Sequence, residues 1–353
     1  MSGPIRRRVV IDDVARVAGV SRQTVSNVLN EHGRFTDVTR QRVLTAVADL
    51  GYQPHHAARS MRSHRTATLA HPVVASELLP HNLFAAQFLQ ALVAATGAAG
   101  YSLLTTPAGP TDPTGQFVAE GRVDGVILCD SGPEDPRVAR LAANGTPFAS
   151  FGRTGPGQPQ CWVDVDSTGS VRAATDHVLL LGHRRIAFLG YAGSASGVWD
   201  DDRVRGFETA MTAAGVCPTG VERVEHDDAS AAVDRLLGAE PRPSAIVCGS
   251  DVLAAAVYGA ADAHGLRIGR DLAVTGFDGG GVLASLSPTL TTLRQPLDVI
   301  ARHLVERVSL EVDGLGGGPG VLLTAPLVVG ESTVPRGIPV PFLRADVLPG
   351  RRQ

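Results

Sequence analysis

The chain has 353 residues, 44% of them hydrophobic and 5% aromatic, with a net charge of −3 and a mean hydropathy of +0.08. That length suits two or three domains with ample cores, and the absence of any run of about 18 uninterrupted apolar residues excludes an expected membrane span. Charge is unevenly spread: residues 1–66 hold 11 arginines against five acidic residues, the remainder holds 21 against 30, and there is no lysine, an asymmetry expected of a nucleic-acid reader with a basic head and an acidic body.

At the start, Met1-Ser-Gly-Pro-Ile-Arg-Arg-Arg8 is followed by only Val9-Val-Ile11 before Asp12 and Asp13. That apolar stretch is too short for a secretory signal, so the chain is expected in the cytoplasm. From Ile11 to Asn30 the residues read as two short helices joined by Gly19-Val20-Ser21. Glycine permits the tight turn, and Ser21 is a good N-cap for the second helix. In that helix Val25, Val28 and Leu29 share one apolar face. Arg22, Gln23, Ser26, Asn27 and Asn30 are expected on the other, with the fork and amide chemistry that pairs with base edges in a major groove. This is the pattern of a helix-turn-helix.

A third helix is expected from Asp37 to Leu50, capped by Thr36, with Val43, Val47 and Leu50 turned inward and a stop at Gly51. Tyr52-Gln53-Pro54 reads as a linker. The basic segment His55–Arg65 contains helix formers but is too short to be stable alone in water, so a partner chain or DNA must order it.

From about Ala67, apolar strands alternate with Ala-rich helices. Strands are expected near Leu69–Val74, Tyr101–Thr105, Gly125–Cys129, Phe148–Phe151, Arg185–Leu189, Ala245–Cys248 and Leu272–Gly276. Helices are expected over Phe84–Ala99, Ser170–Leu181, Arg205–Ala214 and Asp251–His264. Such alternation predicts an α/β body of doubly wound parallel sheets. Its length suggests two similar lobes, with a ligand between them beyond the carboxyl ends of the strands. The tail from Pro335 is rich in Pro and Gly without a heptad pattern and is expected to be loosely ordered.

Cys129, Cys161, Cys217 and Cys248 are widely spaced and read as reduced structural thiols. His55, His56 and His64 have no neighbouring carboxylate or thiolate, so neither a metal nor a cofactor is expected. No Gly-x-Ser-x-Gly, Gly-Lys-Ser/Thr or His-Glu-x-x-His pattern supports catalysis. The run Phe277-Asp-Gly-Gly-Gly281 lacks the lysine and helix of a phosphate cradle and reads as a turn after a strand.

Several separate motifs occur in one order. They are Asp13-Val-Ala-x-x-Ala-Gly-Val-Ser-x-x-Thr-Val-Ser26, Thr39-Arg40, Leu50-Gly-Tyr-x-Pro54, Gly121-Arg-Val-Asp-Gly-Val-Ile127, Leu181-Gly-His-Arg-Arg-Ile-Ala187, Arg203-Val-Arg-Gly206 and Leu290-Thr-Thr-Leu-Arg-Gln-Pro296. In this the chain resembles the LacI/GalR family of transcription regulators from about Ile11 to Thr333.

The resemblance implies a helix-turn-helix domain (1–54), a hinge helix (55–66) and a two-lobed, type I periplasmic-binding-protein-like core (67–335) ahead of a tail (336–353). The first lobe would take 67–165 and 294–325, the second 166–293 and 326–335. It also implies a homodimer on a near-palindromic operator, in double-stranded DNA, and a repressor of carbohydrate-utilisation genes rather than an enzyme.

By the same resemblance Arg22, Gln23 and Asn27 fall where bases are read, and Ser21, Thr24, Asn30, Arg34, Thr36 and Thr39 where phosphates are met, with Tyr52 also expected among the DNA-binding residues. Ala58 would let paired hinge helices approach closely. Met61 would either wedge into the minor groove or pack within the hinge pair. For the effector it points to Arg203 and Asp278, then Trp199, Ser250, Asp251 and Gln295, with Asp164 and Phe84 behind them. Trp199 is expected on a cleft-facing loop, as a stacking surface or as a core plug. A sugar or oligosaccharide leads as effector and a nucleoside or purine follows. Phe151-Gly-Arg153 departs from the family's commoner Asp-Arg ending and removes a carboxylate from the pocket.

Overall fold

The computed structural model describes residues 9–29, 33–52, 65–73, 83–108, 114–132, 134–159, 161–192, 198–225, 229–280 and 286–333. Asn30, Ala58, Met61, His55, His56, His64 and the tail 336–353 lie outside the described residues. The chain divides into two compact units, Met1–Thr66 and Ala67–Gln353.

In the first unit α1 (Ile11–Ala18), α2 (Arg22–Leu29) and α3 (Asp37–Leu50) enclose Val14, Ala15, Ala18, Val25, Val28, Val43 and Ala46. Each end follows from local chemistry. Gly19 takes φ +62 at the end of α1, in the left-handed region that glycine enters without a Cβ clash. Ser21 Oγ accepts the Thr24 amide at 3.1 Å, and Thr36 Oγ1 accepts that of Thr39 at 3.3 Å. Arg42 of α3 reaches back to donate to the Ala18 carbonyl, and to that of Gly19 at 3.2 Å. It thereby ties the third helix to the turn between the first two. Val47 and Leu50 are only half-buried, and Ala46 takes the inner place instead.

The second unit holds two six-stranded sheets. The first runs β11 (Val321–Leu323), β5 (Trp162–Val165), β4 (Phe148–Phe151), β3 (Gly125–Leu128), β1 (Thr68–Val73), β2 (Ser102–Pro107). The second runs β12 (Leu327–Val328), β10 (Thr291–Arg294), β9 (Ala273–Asp278), β8 (Ala245–Cys248), β6 (Ile186–Tyr191), β7 (Gly220–Val224). Every recorded pairing is parallel except β10 with β12.

Central strands β3, β6 and β8 are buried along their whole length. Parallel sheets are covered by helices on both faces, so such strands appear as continuous apolar runs rather than alternating ones. On the first sheet lie α4 (Leu83–Ala98), α5 (Thr114–Ala119), α6 (Pro136–Ala143) and α11 (Leu297–Val312). On the second lie α7 (Ser167–Leu180), α8 (Val198–Ala213), α9 (Ala229–Gly238) and α10 (Asp251–Ala261). Fully buried Phe88, Phe188, Phe207 and Phe277 anchor these layers, each contributing about 1.5–3 kcal/mol by leaving water.

Helices α7 and α8 approach so closely that a Cβ on Gly206 would stand 2.3 Å from the Thr168 carbonyl oxygen. The chain passes between the sheets after β5, after β10 and between β11 and β12. The second passage follows Arg294, which belongs to β10 of the second sheet rather than to the first lobe, where the expected boundary put it. Three of the cysteines are buried as expected, but Cys217 is exposed because it lies in the loop after α8. Among the described residues no helix is long and apolar enough to cross a membrane, and no group of three metal-ligating side chains forms.

Candidate functional site

Helix α2 buries Val25 and Val28 and turns Arg22 and Gln23 outward. Arg22 stays 3.9 Å from Asp12 in an exposed pair, too solvated to hold it in place. Gln23 Nε2 donates to Asn27 Oδ1 at 2.9 Å, one turn on, so the two amides present a joined donor–acceptor edge. Ser21, Arg34 and Thr36 are exposed, while Thr24 and Thr39 are half-buried with their hydroxyls shared with the preceding caps.

One expectation fails here. Ser26, expected on the outer face of α2, is 4% exposed and joins Val25 among the buried residues. Tyr52, expected among the DNA-binding residues, is 9% exposed and belongs to the headpiece core.

In the second unit the expected effector residues converge on the carboxyl ends of the strands. Arg203 lies within α8, buried to 7%, its guanidinium 4.3 Å from the Trp199 ring and 3.8 Å from that of Phe277. Its Nη1 donates to the Gly249 carbonyl at 2.6 Å. Asp278 ends β9 at φ +120, and its Oδ1 accepts the Gln295 amide at 2.8 Å. Burial pushes the Asp278 carboxyl up to about 7 despite the pull of Arg203, with nearby Asp251 adding to the rise. Asp278, Gln295, Gln87, Gln90 and Arg294 line an open groove of about 330 Å³ along α4.

Asp164 is buried at the end of β5. It accepts its neighbour Val165's amide at 2.8 Å and stands 3.0 Å from Arg153 Nε. Burial raises its carboxyl, while Arg153 and Arg203 oppose the rise. Phe84 stacks parallel to Phe88 at 6.3 Å and lies 6.2 Å from Phe151, giving the first lobe an aromatic shelf.

One effector expectation needs correction: Trp199 is in the first turn of α8, not on a loop, because the helix begins at Val198. Ser250 caps α10, accepting the Leu253 amide at 3.2 Å, and is 3.0 Å from the Tyr191 hydroxyl. Asp251 takes Thr292 Oγ1 at 2.6 Å on one oxygen and the Gly280 amide at 2.9 Å on the other. Both therefore also brace their own lobe.

The structure also brings in residues the sequence reading passed over. Arg153, noted only as a departure, bridges Asp164 and Asp202. Asp200, fully buried, accepts the Tyr191 amide at 3.1 Å and pairs with Arg223 at 2.9 Å, fixing the start of α8 to β6 and β7. Its neighbour Asp202 is one residue from Arg203, a local signal that could have been read. Arg153 gave none, since its partner Asp202 lies 49 residues further along the chain in the second lobe.

Residues 10–55 match the model for bacterial regulatory proteins of the lacI family, and residues 175–333 match that for the periplasmic binding protein-like domain. The chain is 33% identical over 323 residues to the HTH-type transcriptional regulator CelR of Thermobifida fusca, across 87% of this chain and 94% of that protein. It is 32% identical to the HTH-type transcriptional repressor PurR of Aliivibrio fischeri (strain MJ11), across 84% and 89%. Among solved structures, the lac repressor dimer bound to operator and the anti-inducer ONPF gives a TM-score of 0.79 at 24% identity, over 93% of this chain and 100% of that one, a likeness of fold. The CelR–cellobiose complex gives 0.68 at 28% identity, over 92% and 100%.

Proposed function

The chain belongs to the LacI family of bacterial regulatory proteins and is a DNA-binding transcriptional regulator, not an enzyme; from that premise we propose that it is a cytoplasmic repressor of carbohydrate-utilisation genes. In this reading it binds a near-palindromic operator as a homodimer, with affinity set by a small molecule held between the lobes of its core. The observation that carries the reading is α2, whose apolar side is buried while Arg22 and Gln23 are exposed with the chemistry of base-edge recognition.

Each protomer reads one half-site through Arg22, Gln23 and Asn27. Ser21, Thr24, Asn30, Arg34, Thr36 and Thr39 position the helix on the phosphates. The segment 55–66, with Ala58 and Met61, couples headpiece to core. A metabolite that favours one arrangement of the lobes then shifts operator affinity by a coupling of about 1–3 kcal/mol.

A sugar is favoured as effector. Asp278 and Gln295 offer paired acceptors and donors for hydroxyls, Arg203 sits beside them, and Trp199 and Phe84 supply apolar faces. The solved CelR–cellobiose complex, to which this chain is similar, supports this choice. The second reading is a purine, for which the Phe84 and Phe151 rings, 6.2 Å apart and tilted by 34°, offer aromatic faces.

Footprinting and fluorescence anisotropy on the DNA upstream of the gene test the first claim. Protection of a two-fold symmetric site that Arg22→Ala abolishes supports specific repression, and sequence-independent binding untouched by that change refutes it. A thermal-shift screen of cellobiose, other sugars and purine bases, repeated with Asp278→Ala, tests the second. A stabilising ligand whose effect survives Asp278→Ala would remove this carboxylate from the site.

A further inference from the structure

Beyond the expected effector residues, the first lobe places one more carboxylate against the second. Asp130 follows β3 at φ +54, a left-handed conformation that L residues avoid and that Asp tolerates better than most. The surroundings hold it there. Arg137, in the first turn of α6, donates through Nη2 to the Cys129 carbonyl at 2.9 Å and to that of Asp130 at 3.3 Å. The same guanidinium grips Asp135 through Nε at 3.1 Å and Nη2 at 2.7 Å, and Asp135 caps α6 by accepting the Arg137 amide at 2.8 Å. Arg137 is largely buried, its side chain 15% exposed.

So held, Asp130 Oδ1 accepts the indole N–H of Trp199 at 3.1 Å. Trp199 belongs to the other lobe, where it stacks on Arg203 and meets Tyr191 edge to face at 6.1 Å. A strained residue that the fold over-determines, pointing its functional group at a ligand cleft, is the kind of outlier from which a role can be inferred.

We propose that Asp130, positioned by Arg137, and Trp199 form a clasp between the lobes, and that Asp130 is the acceptor a hydroxyl-bearing effector must win from the indole. The ligand class this selects is an uncharged or cationic polyol. A carboxylate that accepts from an indole N–H accepts equally from a hydroxyl or ammonium donor, and it repels an anion. The ligand half of the proposal rests on the reading of the cleft as an effector site, whereas the clasp itself does not.

Hydrogen exchange of the two tryptophan indoles, followed by NMR on the full-length protein labelled with [15N]Trp, tests it without effector or DNA. Asp130→Gly suits φ +54 and removes the carboxylate, and Asp130→Asn keeps an acceptor oxygen in a residue that also tolerates the conformation. The Trp199 N–H is expected to exchange about tenfold faster in the Gly variant, the loss of one charge-assisted hydrogen bond. The Asn variant should be closer to the parent, and Trp162 should not respond.

Unchanged exchange in Asp130→Gly overturns the proposal, as does an Asn variant as fast as the Gly variant. Isothermal titration with cellobiose addresses the ligand half. Trp199→Phe removes the indole donor and should tighten binding, while Asp130→Gly should weaken it. Weaker binding in Trp199→Phe, or no loss in Asp130→Gly, counts against Asp130 as the ligand's acceptor. Should the sugar reading fail, the exchange measurement still decides the clasp.

Discussion

Replacing Asp278 by Asn asks whether the core carries the penalty of a buried charge. Burial moves this carboxyl from an ordinary 3.8 to about 7. At about 1.4 kcal/mol per pH unit, that shift bounds the penalty of ionising Asp278 in the folded protein at about 4 kcal/mol. Asp251 interacts with the same proton and Asp278 keeps some contact with solvent, so about half, roughly 2 kcal/mol, is expected to reach the measured stability.

The direction follows from proton binding. The folded carboxyl holds its proton more tightly than the unfolded one, so the parent's stability is fully present below about pH 4 and is lost as pH rises through about 7. Asparagine does not ionise and escapes that loss. In thermal unfolding at fixed protein concentration, Asp278→Asn should come closest to the parent at or below about pH 4, under the unfolded carboxyl's own titration. At pH 8 it should melt higher by about 4–8 °C, given about 2–4 °C per kcal/mol for a domain of this size. An equal difference at both pH values, or a variant less stable than the parent at pH 8, would refute the reasoning.

Three further outcomes are expected. Arg22→Ala should weaken binding to the protected operator by about 1–3 kcal/mol, read by anisotropy, while leaving weak binding to unrelated duplex nearly unchanged. Gly19→Ala should lower headpiece stability by about 1–2 kcal/mol, because the left-handed backbone strains alanine and its Cβ presses on Arg42 Nη2 at 2.7 Å. Circular dichroism melting of the full chain should show an earlier headpiece transition and an unchanged core. Gly206→Ala should destabilise the core by at least about 1–3 kcal/mol, since its methyl would meet backbone that cannot step aside, and differential scanning calorimetry should place the loss in the core transition.

Within a single helix or strand, the residues carried nearly all the information. Thr36 and Gly51 bracket α3 at both ends because capping is a contact of a few residues. The apolar runs at Gly125–Leu128 and Ala245–Cys248 announced parallel strands because covered sheets need both faces apolar. The polar side of α2 was readable for the same reason, except at Ser26, where three-dimensional neighbours close over a residue that spacing alone leaves ambiguous. Motif order then located Arg203, Asp278 and Gln295.

What the amino-acid order could not convey is which distant groups share a carboxylate. Asp251 shows nothing along the chain of the Thr292 hydroxyl and Gly280 amide that meet its two oxygens. Arg153 looks like a departure from pattern until Asp164 and Asp202 flank it. Asp130 looks like a loop acid until Arg137 fixes its backbone and Trp199, 69 residues away, fills it. Caps, turns and periodic faces arise from neighbours along the chain and so belong to the sequence. Pairings of buried charge depend on how two separately wound sheets bring their strand ends together, and only the folded core decides them.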